Sequence, residues 1–248
     1  EAAGSAHEVT AGVLRGLLRR TAFAADRREG TRFAVACVLW EAEPGRVRLV
    51  ATDTRRMAVC EGPAEVAGEG TGTRQHLVPL KAVGLLERLL ADDGEAVRVV
   101  LRPNAAEFRT ERATLTARLV DGKFPPYRSI LPKKLDHAID LPTGEFLARV
   151  RQAAIMTDAE AKRVDLRFGM GGVTLAAKGA ETGASEVTLD LPAYPGPDLA
   201  VAFDPAYLRD YLGACGAEAV VLEVTDGTKP AVLRAGPDSL CLIMPLAG

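Results

Sequence analysis

The sequence predicts an α+β protein made of two repeated domains, each with two helices packed on antiparallel sheets. Three observations carry this. Short strand-like runs recur between glycine, proline and other turn signals. Amphipathic helical spacing occurs four times among them. The order of these signals in the first half then returns in the second, at an offset of roughly 125 to 133 residues, the mark of an internal repeat.

The first helix opens at Thr10, where "TAGVLRGLLRRTAFAADRR" sets Val13, Leu14, Leu17, Leu18 and Phe23 on one face and Arg15, Arg19 and Arg20 on the other. "FAVACVLWEAE" and "GRVRLVATD" follow as strands joined by Pro44-Gly45, a hairpin signal, and "RRMAVCEG" continues as a strand. The glycine-rich "GPAEVAGEGTGT" reads as a loop, "HLVPL" as a short extended run, and "KAVGLLERLLADDG" as a helix closed by Gly94. "AVRVVLRP", "AAEFRTER" and "ATLTARLV" alternate as a three-strand meander. In the second half "PTGEFLARVRQAAIMTDAEAKR" takes the place of the first helix. A hairpin turning near Gly171-Gly172, two strands, "PAYLRDYLGACGAEAVVLEVTDG" and a last hairpin ending "SLCLIMPLAG" complete the copy. Each unit thus reads helix, four strands, helix, three strands, with boundaries at 9–127 and 128–248 and a linker-like tail over 1–8.

Between the copies lies "LVDGKFPPYRSILPKKL" (119–135). Its prolines cannot donate to a sheet ladder and force their predecessors into extended backbone, so the stretch predicts a stiff joint, neither helix nor central strand.

Composition excludes several functions. The chain has 248 residues, 48% hydrophobic and 26% charged, with a net charge of −2, so nucleic-acid binding requires charge gathered on one surface. Cys37, Cys60, Cys215 and Cys241 stand far apart and the histidines are scattered, which gives no zinc spacing. Three of these cysteines lie in apolar strand-like runs and read as buried thiols of a reducing compartment. No apolar run reaches the roughly 18 residues of a membrane span, and no secretory leader is expected. Asp53 beside Arg55 and Arg56 has no nucleophile–base pair, P-loop or metal cluster near it, so it reads as a turn or ion-pair residue and no catalytic residue is assigned.

"VATDTRRMAV" (50–59), "HLVPLKAV" (76–83), "LVDGKFPPYRSILP" (119–132) and "LIMPL" (242–246) resemble the bacterial DNA polymerase III beta subunit, the sliding-clamp family, in order and near its spacing. The resemblance covers nearly the whole chain after about residue 8, and matches that family's second and third domains. It implies a DNA-clamp fold and a ring of six such domains around duplex DNA, bound without sequence specificity. The ring tethers the polymerase, with no catalysis, cofactor or metal, in the cytoplasm at the nucleoid.

The resemblance also implies two surfaces. Helices over 10–28, 81–93, 144–163 and 205–218 would face DNA through Arg15, Arg19, Arg20, Lys81, Arg88, Arg149, Arg151 and Arg209. Arg32 and Phe33 would join them from the loop after the first helix, although Ala34 departs from the tyrosines common there. These helices sum to +3 in a chain of −2, a modest segregation suited to enclosing phosphates without gripping them; an ordinary solvated arginine face is the other reading. Partner peptides with a glutamine and an aromatic–aliphatic end would enter an interdomain groove. Replicative polymerase, clamp loader, repair polymerases and mismatch-repair proteins would supply them. Carried over, the groove holds Val35, Thr52, Thr54, Arg55, Arg56, Met57, Pro125, Ile130, Tyr207, Pro230, Leu242, Met244, Pro245 and Leu246. The chain departs from the family's Gly-His at Thr54-Arg55, from its terminal basic residue at Ala247-Gly248, and from a larger apolar residue at Ala161.

The alternative is a clamp-like interaction module or fragment that binds peptides without encircling DNA. A start at Glu1 favours a fragment of a longer protein; a two-domain clamp closing as a trimer would also give six domains.

Overall fold

The structure is a computed structural model that describes residues 5–26, 35–67, 75–157, 162–179 and 183–247. The chain divides into two compact units, residues 1–130 and 131–248.

In the first unit, β1 (Ser5–Thr10) leads into α1 (Ala11–Arg19) and a 3-10 turn (Ala22–Ala24). Then come β2 (Cys37–Glu43), β3 (Arg46–Thr52), β4 (Arg56–Pro63), β5 (Glu65–Ala67) and β6 (His76–Pro79). After α2 (Leu80–Leu89) follow β7 (Ala96–Leu101), β8 (Ala105–Arg109), β9 (Thr114–Arg118) and the single-turn helix α3 (Tyr127–Ile130). One sheet runs β5-β1-β7-β8-β9, the other β4-β3-β2-β6, all antiparallel.

In the second unit, β10 (His137–Pro142), α4 (Thr143–Ala153), a 3-10 turn (Ala154–Met156), β11 (Val164–Gly169), β12 (Gly172–Gly179), β13 (Gly183–Asp190) and β14 (Leu199–Phe203) precede α5 (Pro205–Ala214). β15 (Ala219–Val224), β16 (Ala231–Arg234) and β17 (Ser239–Ile243) follow. Its sheets run β10-β15-β16-β17 and β13-β12-β11-β14.

Each unit therefore carries a strand ahead of its first helix that the sequence pattern hides. β1 takes Ser5–Glu8 out of the tail expected over 1–8, whose residues 1–4 lie outside the described residues. Ser5–Glu8 pair with β7, and the side chain pointing inward between the sheets is His7, 2% exposed, where an apolar residue would have announced a strand. The helices end early for local reasons. Thr10 caps α1 by accepting from the Val13 N–H at 3.5 Å, and the Thr21 hydroxyl donates back to the Leu17 carbonyl at 2.8 Å, closing its last turn. Leu14, Leu17 and Leu18, at the spacing of one helix face, are buried, as is Trp40, whose ring tilts against Phe108 at 5.3 Å between centroids. The matching core of the second unit contains Phe146, Phe203 and Tyr211, with the Tyr211 hydroxyl donating to the Ser239 carbonyl at 3.1 Å.

The joint is a strap on the first unit, and part of it is helical after all. Pro126 is tolerated there because a helix's first turn needs no N–H donor. Val120 N–H donates to the Leu77 carbonyl at 2.8 Å, and Phe124 N–H to the Gln75 side chain at 3.0 Å. Glu41, on β2, takes the Tyr127 hydroxyl at 2.6 Å and both ends of the Arg128 guanidinium at 2.9 and 2.8 Å, a bidentate pair. Burial, then the Glu41 carboxylate, push the Tyr127 phenol above its ordinary range, so it stays a donor. Arg48 sits among Glu41, Glu43 and Glu61 at 3.6, 3.1 and 2.6 Å, so this partly buried network is charge-compensated.

Candidate functional site

Of the residues expected to receive a partner peptide, Thr52 to Met57 form one tight corner between β3 and β4. Asp53 builds it. Its Oδ1 accepts the backbone N–H groups of Arg55 and Arg56, each at 2.9 Å, and its Oδ2 accepts Arg56 Nε at 3.0 Å. Thr52 Oγ1 donates to the Arg56 carbonyl at 2.7 Å and accepts Thr54 N–H at 3.1 Å. Asp53 is thus the turn and ion-pair residue that the sequence suggests. Inside the corner Thr54 has φ +75°, the one non-glycine among the described residues with positive φ. A β-branched residue there costs about 1–2 kcal/mol, only partly offset by the extra unfolded-state entropy of glycine. Thr54→Gly is therefore expected to stabilise the first unit by about 1 kcal/mol; a denaturation midpoint at or below wild type would sink that expectation.

The two arginines of the corner differ. Arg56 is 9% exposed and inward: besides Asp53 it donates to the Phe23 carbonyl at 2.9 Å and lies over the Phe23 ring. Arg55 is exposed. Val35, Thr52 and Met57 are buried at 1%, 5% and 3% exposure, and Pro125 is buried, so these side chains support the corner more than they present it. Ile130, 44% exposed, closes the strap.

In the second unit Leu242 is buried in β17, while Met244, Pro245, Leu246, Tyr207 and Pro230 are half-buried. The segment after β17 is pinned: Leu246 N–H donates to the Ala202 carbonyl at 2.8 Å, and Arg163 Nη1 donates to the Ala247 carbonyl at 2.5 Å. Half-covered apolar side chains on fixed backbone suit peptide contact, because little ordering entropy remains to be lost. Ala161 lies outside the described residues.

The residues expected to face DNA divide as well. Within their structural bounds α1, α2, α4 and α5 carry Arg15, Arg19, Lys81, Arg88, Arg149, Arg151 and Arg209 against Glu87, Glu145 and Asp210. Arg15 is largely spent: it pairs with Asp93 and donates to the Leu90 carbonyl at 2.9 Å. Arg20 turns back to the Gly16 carbonyl at 3.0 Å, and half-buried Arg149 donates to Gln152 at 2.9 Å. Arg19 and Lys81 border one cleft of about 600 Å³ between α1 and α2, with Phe23 and Leu80 in its wall. Arg88, Arg151 and Arg209 are exposed. Arg32 and Phe33 lie outside the described residues.

Among the described residues no cluster of three His, Cys, Asp or Glu could hold a metal ion, and no helix is long and apolar enough to cross a membrane. All four thiols are buried, and burial pushes Cys37 up to about 12.

Two family models account for this arrangement. The central domain of the DNA polymerase III beta subunit matches residues 8–126, and the C-terminal domain of the same subunit matches 128–246. The chain belongs to the DNA polymerase III beta subunit family. The beta sliding clamp of Pseudomonas putida is 31% identical over 235 residues, covering 94% of this chain and 63% of that protein. The beta sliding clamp of Chlamydia pneumoniae is 28% identical over 233 residues, covering 94% and 62%. The crystal structure of the DNA polymerase sliding clamp from Pseudomonas aeruginosa superposes with a TM-score of 0.92 at 28% identity, covering 100% of this chain and 68% of that one. The chain thus spans 62–63% of the length of these curated relatives. The DNA-clamp fold expected from the sequence holds for both of these domains.

Sequence reasoning missed Glu41 and Asp93. Each organises a region through an arginine that lies 87 or 78 residues away in the chain, and no local pattern announces such a pair. It also read Ile155 as part of a long helix; the structure places it on a 3-10 turn at 70% exposure.

Proposed function

We propose that this chain is a DNA polymerase processivity factor of the bacterial cytoplasm: a sliding clamp that encircles duplex DNA and recruits proteins through short peptides. The observation that carries this is the unbroken succession, along one chain, of the family's central domain and its C-terminal domain. Its partners would be duplex DNA, read without sequence specificity, and polymerases, clamp loader and mismatch-repair proteins bearing the peptide. Contact with DNA would come from Arg19, Lys81, Arg88, Arg151 and Arg209, exposed side chains with few charges between them. Such a surface gives weak, salt-sensitive attraction compatible with sliding. Peptide contact would come from the Thr52–Met57 corner and the Leu242–Leu246 segment. Arg15, already paired with the Asp93 carboxylate, would add little.

Encirclement is tested by topology. Loaded on closed circular duplex DNA, with a clamp loader where required, the chain is expected to stay bound through salt that strips surface-bound protein, and to be lost when the circle is cut. Retention indifferent to cutting would overturn encirclement. Light scattering over a concentration series then reports whether a multi-chain ring forms.

A further inference from the structure

Resting on the peptide-binding reading above, we infer that Arg163 is a positioning residue: it clasps the backbone of the segment after β17, and so sets how tightly Leu246 can hold a partner peptide. Every part of the clasp lies in the second unit. β17 is paired with β16 as far as Ile243. Beyond it, Pro245 has no N–H to donate. A segment past the last rung of a ladder frays unless it is tied down. Two bonds tie this one. Leu246 N–H donates to the Ala202 carbonyl of β14 at 2.8 Å, and Arg163 Nη1 donates to the Ala247 carbonyl at 2.5 Å.

The guanidinium is itself aimed. Asp165 stands two residues further on, on the same face of an extended chain. Its Oδ1 accepts Arg163 Nε at 3.0 Å and Nη2 at 2.7 Å. That holds one edge of the planar fork and leaves Nη1 for the Ala247 carbonyl. Asp165 is also the register partner of Ala202 across β11 and β14, so the two anchor points sit side by side. They fix consecutive residues, 246 by its N–H and 247 by its C=O. The half-buried Leu246 side chain is thus presented from backbone held at both ends. An apolar side chain already in place loses less freedom on binding than one on a loose segment. Removing the clasp would leave the apolar side chains intact and raise that ordering cost.

The test uses the whole chain and two readings: hydrogen exchange of the Leu246 amide, and fluorescence anisotropy of a labelled peptide of the Gln-Leu-Ala-Leu-Phe type. Arg163→Met keeps an apolar stem and removes the donors. It is expected to speed Leu246 exchange and to weaken the peptide, each about three- to tenfold, the factor that one net hydrogen bond commands. The β17 amides should stay as protected as in wild type. Arg163→Lys, which keeps a donor but lacks the fork, should fall between. Arg167→Met, on the exposed surface of the same β11, should change neither reading. A double-variant cycle separates positioning from a general effect on the fold. With Leu246→Ala already in place, Arg163→Met should cost about twofold or less in affinity, because the side chain that it positions is gone. Wild-type exchange or wild-type affinity in Arg163→Met overturns the inference, and so does an equal loss in both backgrounds; peptide binding itself stands in each case. If the wild type binds no peptide, the peptide-binding reading falls and the inference with it.

Discussion

Lowering the pH from 7 toward 4 is expected to remove about 3 kcal/mol from the stability of the first unit through His7 alone. His7 lies between the sheets, and its Nε2 accepts the Trp40 Nε1–H at 3.1 Å, so the neutral ring carries its proton on Nδ1. A second proton would set donor against donor in a site that is 2% exposed, with His76 nearby. Burial first, and His76 second, bring the His7 pKa down to about 4, against about 6.5 in an unfolded chain. The sign follows from proton uptake. Below about pH 6.5 the unfolded state binds a proton that the folded state refuses, so stability is complete above that pH and falls as pH drops toward 4. Trp40 is the chain's one tryptophan and touches His7, so its fluorescence reports this unit during denaturant titration of the whole chain. His7→Gln keeps an acceptor for Trp40 and cannot titrate. Its stability should vary much less with pH than wild type; parallel pH profiles for the two proteins would refute the assignment.

The same histidine shows where the sequence was readable. The two-unit repeat, the Pro44-Gly45 and Gly171 turns and the turn role of Asp53 all rest on local periodicity or local turn chemistry, and these appear in the structure. β1 was hidden because its inward positions are His7 and Val9, and a polar residue facing the core breaks the alternation that marks a strand. α3 was hidden by Pro125 and Pro126, which stand before a helical turn as acceptably as before an extended joint. Among the candidate sites, the corner at 52–57 was legible as a motif. The division of labour within it was not, because the Phe23 carbonyl that draws Arg56 inward is 33 residues away. For the same reason charge counting gave Arg15 full standing, although Asp93 and the Leu90 carbonyl occupy it. Net charge on a helix is a property of sequence; available charge is a property of packing.

Peptide binding is expected to weaken about tenfold in Leu246→Ala and by a similar factor in Met244→Ala. Burying a whole leucine side chain is worth about 2 kcal/mol, close to 0.8 kcal/mol per methylene. Leu246 is half-buried in the free chain, so a bound peptide can cover only what remains, about 1–1.5 kcal/mol. The backbone on which it stands does not need the side chain: the Leu246 N–H to Ala202 carbonyl bond survives truncation to alanine. Fold stability should therefore change by well under the loss in affinity, and calorimetry with denaturation on the same samples separates the two. Met244 and Leu246 stand two residues apart on one pinned segment, so the double variant is expected to lose less than the product of the single effects, as neighbouring contacts share a covered surface. Full additivity would mean that the two side chains contact the peptide independently. Unchanged affinity in both single variants, with intact folding, would remove the terminal segment from peptide contact.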